Sequence, residues 1–157
     1  MPITQTVEAE VRTGKNFSAV NLGPMNELDQ YRLHVPALNR DVRGKLFIKD
    51  VLAFTGMQVS FNKLPVGAGV PFYHQHKENE EAYIFMGGEG QMQIDGEVFP
   101  VQEGTIVRVN TDGSRSLRNT SGNEPLYFLC IQARQNSLNI DTFEDGIRSE
   151  QPVVWPE

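Results

Sequence analysis

Eight short apolar runs, separated by glycine-rich or charged turns, follow one another from Gly56 to Ala133. They are GMQVSFNKL, PFYHQH, EAYIFM, GQMQID, EVFPV, TIVRVN, RSLRN and PLYFLCIQA. No span in this region keeps a helical apolar period over three turns, so the runs predict strands. Asp95-Gly96 lies between two of them and predicts a tight hairpin, because both central positions of such a turn need positive φ. Many short strands with close turns are typical of an all-β sandwich or barrel.

The first run predicts a strand with one buried face. Met57, Val59 and Phe61 alternate with polar neighbours, which is the period-two pattern of an extended chain. Because apolar side chains gain most from leaving water, we expect these three to point into the barrel.

The length of 157 residues fits one domain with a substantial core. We expect residues 45–133 to form the barrel, with residues 1–44 as an N-terminal arm packed on it and residues 134–157 as a C-terminal arm. The segments MNELDQYRL and NIDTFEDGIRSE are each compatible with a turn or two of helix. We expect both arms to pack against the barrel.

Composition excludes some partners. Fourteen Lys and Arg against twenty Asp and Glu give a net charge of −6, and no basic cluster exceeds a dipeptide, so a nucleic-acid backbone would be repelled. The N-terminus lacks the apolar core of a secretion signal, and no eighteen apolar residues run together, so we expect a cytoplasmic protein without a membrane span.

Cys130, inside the apolar run LYFLCIQ, is expected to be a buried small hydrophobe.

The stretch HQHKENEEAYIFMGG carries the candidate chemistry. In an extended segment, His74 and His76 project to the same face, and Glu81 re-enters a strand after the turn KENE. Two histidines and one carboxylate with open positions are typical of non-haem iron and other divalent first-row metals. Glu80 is a second candidate carboxylate, and His34 is a distant alternative ligand if the N-terminal arm covers the barrel mouth.

These residues resemble the first motif of the cupins, which is a glycine, several residues, His-x-His, three or four residues, Glu, six residues and Gly. His74, His76, Glu81 and Gly88 follow that spacing, and GQMQIDGEVFPVQEGTIVRV resembles the strands and turns that come next. The resemblance implies a cupin-type double-stranded β-helix, a jelly-roll barrel with little helix, over roughly residues 45 to 133. It also implies a divalent transition metal (Fe, Mn, Zn or Ni) and a homodimer.

The second cupin motif ordinarily supplies a fourth histidine ligand, and here Arg115 stands in its place. Alternation in RSLRN predicts that Arg115, Leu117 and Asn119 face inward. A guanidinium has no usable lone pair and cannot ligate a metal. Two states therefore remain open: either His74, His76 and Glu81 hold a metal while Arg115 leans aside or receives a substrate carboxylate, or Arg115 and Glu81 form a buried ion pair in a metal-free site.

The inward-facing residues predict an apolar, aromatic lining for a small-molecule pocket. The expected lining residues are Arg115, Tyr83, Phe61, Phe72, Phe85, Met92 and Leu117. The resemblance implies a range of activities that includes dioxygenases, isomerases and decarboxylases. Two functions stay open: a metal-dependent oxidoreductase or isomerase acting on a small organic, anionic ligand, and a metal-free ligand-binding or sensor barrel.

Overall fold

The computed structural model describes residues 3–157, which are built mainly from short strands. Five strands lie in the N-terminal arm: β1 (Gln5–Thr6), β2 (Val11–Thr13), β3 (Ser18–Val20), β4 (Arg32–Val35) and β5 (Arg40–Arg43). The others are β6 (Lys45–Phe47), β7 (Gln58–Leu64), β8 (Asn79–Gly87), β9 (Glu89–Ile94), β10 (Glu97–Gln102), β11 (Ile106–Val109), β12 (Arg115–Asn119) and β13 (Leu126–Arg134). Helix is limited to two 3₁₀ turns, Met25–Gln30 and Pro36–Leu38, and two single-turn helices, α1 (Lys49–Leu52) and α2 (Thr142–Asp145). Among these residues we find no helix with the length and apolarity needed to span a membrane.

Two antiparallel sheets form a jelly-roll barrel. The larger sheet has the order β11-β8-β13-β7-β6 and the smaller has the order β10-β9-β12. Residues 68–74 extend the smaller sheet beyond β12, because Gly69 and His74 form bridges to Arg118 and Arg115. The all-β prediction is confirmed: seven of the eight apolar runs contain a strand, and the eighth, PFYHQH, is the extended segment held by these bridges.

The hairpin between β9 and β10 turns at Asp95-Gly96, as predicted. Its φ angles are 51° at Asp95 and 87° at Gly96, and Ile94 pairs with Glu97 across the turn. Positive φ at both positions gives the turn a twist that matches the flanking strands. The hairpin thereby sets the register of the smaller sheet.

The main core lies between the two sheets. Its buried members share the inward faces of their strands, and they are Tyr83, Phe85, Met92, Val101, Val109, Leu117, Leu126, Phe128 and Cys130. The predicted inward register of β12 is confirmed, since Arg115, Leu117 and Asn119 are 0%, 6% and 3% exposed. The predicted burial of Cys130 is also confirmed.

The predicted orientation of β7 is wrong, because the apolar face that we expect inside the barrel points outward. Ser60 and Asn62 are buried toward the barrel, whereas Val59 and Phe61 pack on a second core outside it. That second core contains Leu28, Tyr31, Leu46 and Ile48, so it joins the N-terminal arm to the outer face of the larger sheet. Alternation shows that β7 has one apolar and one polar face, but it does not show which face points into the barrel. Here the second core covers the apolar face, which therefore points outward. Met57 lies just before the strand and is exposed.

The two arms behave differently. The N-terminal arm packs on the barrel through the second core, and its 3₁₀ turn falls within the segment MNELDQYRL, where a helical turn was expected. The C-terminal segment has its single turn α2 within NIDTFEDGIRSE, but every side chain from 136 to 157 is exposed. The expectation that this arm packs on the barrel of its own chain is therefore not met.

Loss of the second core should destabilise the whole fold. Leu46 is 0% exposed within that core, so we expect Leu46→Ala to lower the free energy of unfolding by about 2–5 kcal/mol. Leu138→Ala, the same change at a side chain that is 86% exposed, should stay within about 0.5 kcal/mol of the parent. Urea unfolding measures both values. Equal effects for the two variants would contradict the assignment of Leu46 to a core.

Candidate metal and ligand site

Two histidines lie side by side on the extended segment that borders β12. The ring centroids of His74 and His76 are 5.3 Å apart with the planes nearly perpendicular, and Phe72 lies 6.2 Å from His74 on the same face. The backbone of His74 is fixed by two hydrogen bonds with Arg115, one in each direction, of 3.2 and 3.1 Å. Arg115, which stands in the place of the fourth histidine ligand, is therefore the cross-strand neighbour of His74.

Glu81, on β8, completes a three-residue cluster. One carboxylate oxygen, Oε1, lies 2.8 Å from Nε2 of His76, and the other, Oε2, lies 4.0 Å from Nε2 of His74. The possible ligand atoms of the three residues all lie within 4.8 Å of one another. Sequence reasoning brought these residues together from their spacing alone, and the structure places them together.

Arg115 is fully buried beside this cluster and pairs with Glu81. Its Nε and Nη2 atoms donate to Oε2 of Glu81 at 3.0 and 2.8 Å, while Nη1 donates to the carbonyl of Gly113 at 2.7 Å. The hydroxyl of Tyr83 donates to the same Oε2 at 2.7 Å. Oε2 is thus saturated by protein donors, whereas Oε1 has His76 as its single partner within residues 3–157.

The electrostatics of the site keep Glu81 ionised. Burial alone would raise the pKa of Glu81, but hydrogen bonds from His76 and Tyr83 and the charge of Arg115 outweigh it, and the net pKa lies well below its usual range. Burial lowers the pKa of His74, and the nearby cation Arg115 adds to that effect. Burial also raises the pKa of Tyr83, with a further contribution from the negative charge of Glu81, so its hydroxyl stays a donor. The site therefore offers an uncharged imidazole at His74 and a carboxylate, which are the protonation states that metal ligands need.

The donor set fits a divalent metal. Two imidazoles and a carboxylate are ligand types of divalent first-row metals, and Nε2 of His76 and Oε1 of Glu81, a hydrogen-bonded pair 2.8 Å apart, are close enough to reach one ion. Nδ1 of His74 is buried and has no hydrogen-bond partner among the described residues. Because Nε2 is the nitrogen of this ring that faces Glu81, a metal bound there would leave Nδ1 without the partner that usually orients a metal-bound imidazole. Arg115 opposes the fit, because its charge repels a cation.

The remaining predicted lining residues separate into two groups. Tyr83, Phe85, Met92 and Leu117 belong to the main core, and Phe72 borders His74. Phe61 is a correction: it packs on the second core, so it does not line the interior. Because the N-terminal arm supplies that core, the short pattern around Phe61 contained no signal for it.

The two alternative ligands are engaged elsewhere. Glu80 lies on β8 and accepts a 2.6 Å hydrogen bond from Nε of Arg108 on the neighbouring strand, instead of lying in the turn before β8. Nδ1 of His34 lies 2.9 Å from Asp41, its cross-strand partner in the sheet of β4 and β5. Neither residue belongs to the cluster around Glu81.

Sequence reasoning missed the polar residues Ser60, Asn62 and Lys45 on the inner faces of β6 and β7. Asn62 is buried on β7, and Lys45 on β6 donates to its Oδ1 at 2.7 Å. The one available signal was strand alternation, because Lys45 and Phe47 flank Leu46 and therefore lie on the other face of β6. Leu46 is fully buried in the second core, so Lys45 lies on the face opposite to that core.

Acid should weaken the fold through Glu81. Because its pKa is lower in the folded chain than in the unfolded chain, the stabilisation is fully present above the ordinary pKa of 4.5 and is lost progressively as the pH falls below it. We expect the free energy of unfolding to fall more steeply between pH 6 and pH 3 in the parent than in Glu81→Gln. Glu97→Gln, which removes an exposed carboxylate on β10, should follow the parent. Parallel curves for all three proteins would contradict this role of Glu81.

Comparison with known proteins gives consistent relatives. A family model described as "Cupin domain" matches residues 61–132. Among solved structures, a cupin protein from Bacteroides fragilis is 44% identical, with 67% of this chain and 88% of that chain covered and a TM-score of 0.64. A structure described as a predicted oxalate decarboxylase from Thermotoga maritima is 26% identical, with 61% and 83% covered and a TM-score of 0.52.

The curated relatives match over a shorter stretch. An "Oxalate-binding protein" from Thermotoga maritima is 35% identical over 69 residues, which is 44% of this chain and 55% of that protein. An uncharacterized protein from Methanocaldococcus jannaschii is 34% identical over 67 residues, which is 43% of this chain and 52% of that protein. The chain spans about half the length of these curated relatives. The fold, the motif spacing and the Bacteroides fragilis relative together show that this chain belongs to the cupin family.

Proposed function

We propose that this cupin binds a divalent transition metal through His74, His76 and Glu81, and beside it a small carboxylate-bearing ligand. The observation that carries the proposal is the cluster of three donor groups within 4.8 Å of one another. Oxygen and imidazole donors in this combination are typical of Fe, Mn, Zn and Ni sites. The name of the oxalate-binding relative supports a small carboxylate as the ligand.

The residues around the cluster have separate roles in this proposal. Arg115 and Tyr83 hold Oε2 of Glu81, so that Oε1 points toward His76. Phe72, against the ring of His74, supplies an apolar wall for the bound ligand. A metal held by this cluster supplies Lewis acidity toward an oxygen of that ligand. An isomerase reaction on the ligand would depend on that acidity, and an oxidoreductase reaction would depend on a redox-active ion such as Fe or Mn, so metal occupancy is the first measurement.

Metal content tests the first half of the proposal. Protein purified without chelator or added metal should carry close to one transition-metal ion per chain by elemental mass spectrometry. His74→Ala should lose most of that metal, because it removes one of three protein ligands. His34→Ala, a histidine paired with Asp41 outside the cluster, should keep it. Equal metal content in His74→Ala and the parent would contradict the proposed ligands.

A metal-free ligand-binding barrel is the second candidate, and the ion pair between Arg115 and Glu81 favours it. That pair already satisfies one oxygen of the carboxylate with two guanidinium bonds. In this case the parent should contain no stoichiometric metal, and calorimetry should show the same affinity for oxalate with and without EDTA. Loss of oxalate binding in EDTA supports the metal-dependent function instead.

We also propose a homodimer that covers the part of the larger sheet's outer face formed by β8, β11 and β13, beyond the second core. Ile106 and Met86 are 68% and 52% exposed, and Ile84 and Leu129 beside them are only partly buried. Ile106, Ile84 and Leu129 stand in one cross-strand row, so their side chains form a continuous apolar patch. Such a patch is typical of a protein interface.

Light scattering tests this interface. The parent should have twice the chain mass of 17.6 kDa, and Ile106→Lys should shift it toward the single-chain mass because a charge would be buried in the interface. Val98→Lys, which changes an exposed residue of the smaller sheet, should leave the dimer intact. A monomeric parent would rule out the dimer.

A further inference from the structure

Lys45 points into the barrel from the edge strand β6. It is cross-strand from the buried Asn62, and the neighbouring Leu46 points the other way, into the second core. Its Nζ atom donates to Oδ1 of Asn62 at 2.7 Å and lies 5.0 Å from the ring centroid of Phe47. A half-buried lysine with a fixed head group on an inner face is unusual, because lysine is seldom buried without a partner of opposite charge.

The ammonium group of Lys45 has spare donors. Among the described residues its one hydrogen-bond acceptor is Asn62, and no carboxylate lies within 4.0 Å of it. Asn62 itself is fully engaged, since its Nδ2 donates to Ser60 and to the carbonyl of Phe128. Two of the three N–H donors of Lys45 are thus without a protein acceptor in the described chain.

The inner charges of the barrel do not balance. Glu81 is the one buried carboxylate among the described residues, and Arg115 already pairs with it. Lys45 therefore adds a positive charge without a counter-charge of its own. Burial lowers the pKa of Lys45, whereas the negative charge of Glu81 acts in the opposite direction. An anion placed next to Lys45 would supply the missing counter-charge.

Sheet topology places Lys45 and His74 on the same margin of the barrel, with Lys45 in the row of Asn62 and Phe128, four residues along the strands from the row of Glu81. The chain runs from β7 directly into residues 68–74, the last extended segment of the smaller sheet, and β6 is the strand beyond β7 in the larger sheet. Lys45 therefore lies on the edge strand of the larger sheet, and His74 lies on the edge segment of the smaller sheet. The positive charge of Lys45 reaches His74, where it contributes to the lowered pKa of that imidazole.

We propose that Lys45 is a specificity-determining residue, whose ammonium group binds a second anionic group of the ligand while the first lies at His74, His76 and Glu81. The inference rests on the proposed function and adds to it a preference for dianionic over monoanionic carboxylates. A charged hydrogen bond in a partly desolvated site is stronger than one between neutral groups, so one lysine is sufficient for such a preference.

Calorimetry on the metal-loaded protein with oxalate and with formate tests the role of Lys45. We expect Lys45→Met to weaken oxalate binding about tenfold or more and to change formate binding less than about twofold. Lys45→Arg should keep oxalate affinity within about threefold, because it keeps the charge and the donors. Lys49→Met, at an exposed lysine on α1, should match the parent with both anions. Metal content should be the same in all four proteins.

The outcomes separate this inference from the proposed function. If the parent binds oxalate and Lys45→Met binds it equally well, the role of Lys45 is overturned and the proposed function stands. If the parent binds neither anion, both the role of Lys45 and the proposed carboxylate ligand are overturned. Lysine-dependent oxalate binding in protein without metal supports Lys45 and contradicts the metal half of the proposed function.

A second measurement covers the case in which Lys45→Met does not fold. Labelling of lysine with ¹⁵N at Nζ gives each unmodified ammonium group its own NMR resonance, and Lys45→Arg identifies that of Lys45. Addition of oxalate to the zinc-loaded parent should shift this resonance, because an anion then contacts the group, while the resonance of Lys49 stays in place. An unshifted Lys45 resonance at saturating oxalate would overturn the inference.

Discussion

The buried ion pair between Arg115 and Glu81 determines how the site is built. A guanidinium with no exposure needs acceptors for its donors, and it obtains them from Glu81 and from the carbonyls of Gly113 and His74. These partners lie on β8, on the turn before β12 and on the segment of the histidines. One side chain therefore ties three separate parts of the chain together around the donor groups.

Both faces of the larger sheet pack against other parts of the protein or line its interior. Its inner face carries polar residues on β6 and β7, while its outer face shares a core with the N-terminal arm. The apolar residues of β7 stabilise the arm, and the polar ones are left for the interior. This division gives the cavity side of the sheet its hydrogen-bonding and charged groups.

Local patterns predicted the features that depend on neighbouring residues. The hairpin at Asp95-Gly96, the inward register of Arg115 and the proximity of the two histidines to Glu81 all follow from strand alternation and spacing. The orientation of the Phe61 side chain could not be predicted from local patterns. It depends on contacts with a distant arm whose strands are only two to four residues long. Lys45 was missed for a similar reason: a lysine in a short run is typical of a solvated face, and only its pairing with Asn62 turns it inward.

The reciprocal backbone bonds between His74 and Arg115 have a consequence for motion. Because both main chains are held in the sheet ladder, separation of Glu81 from Arg115 would require only rotation about side-chain bonds. Such rotations need no opening of the strands, which in folded proteins is a much slower, cooperative event. Exchange of partners at Glu81 is therefore a local rotameric step, and its rate is set by the packing around one arginine rather than by the stability of the barrel.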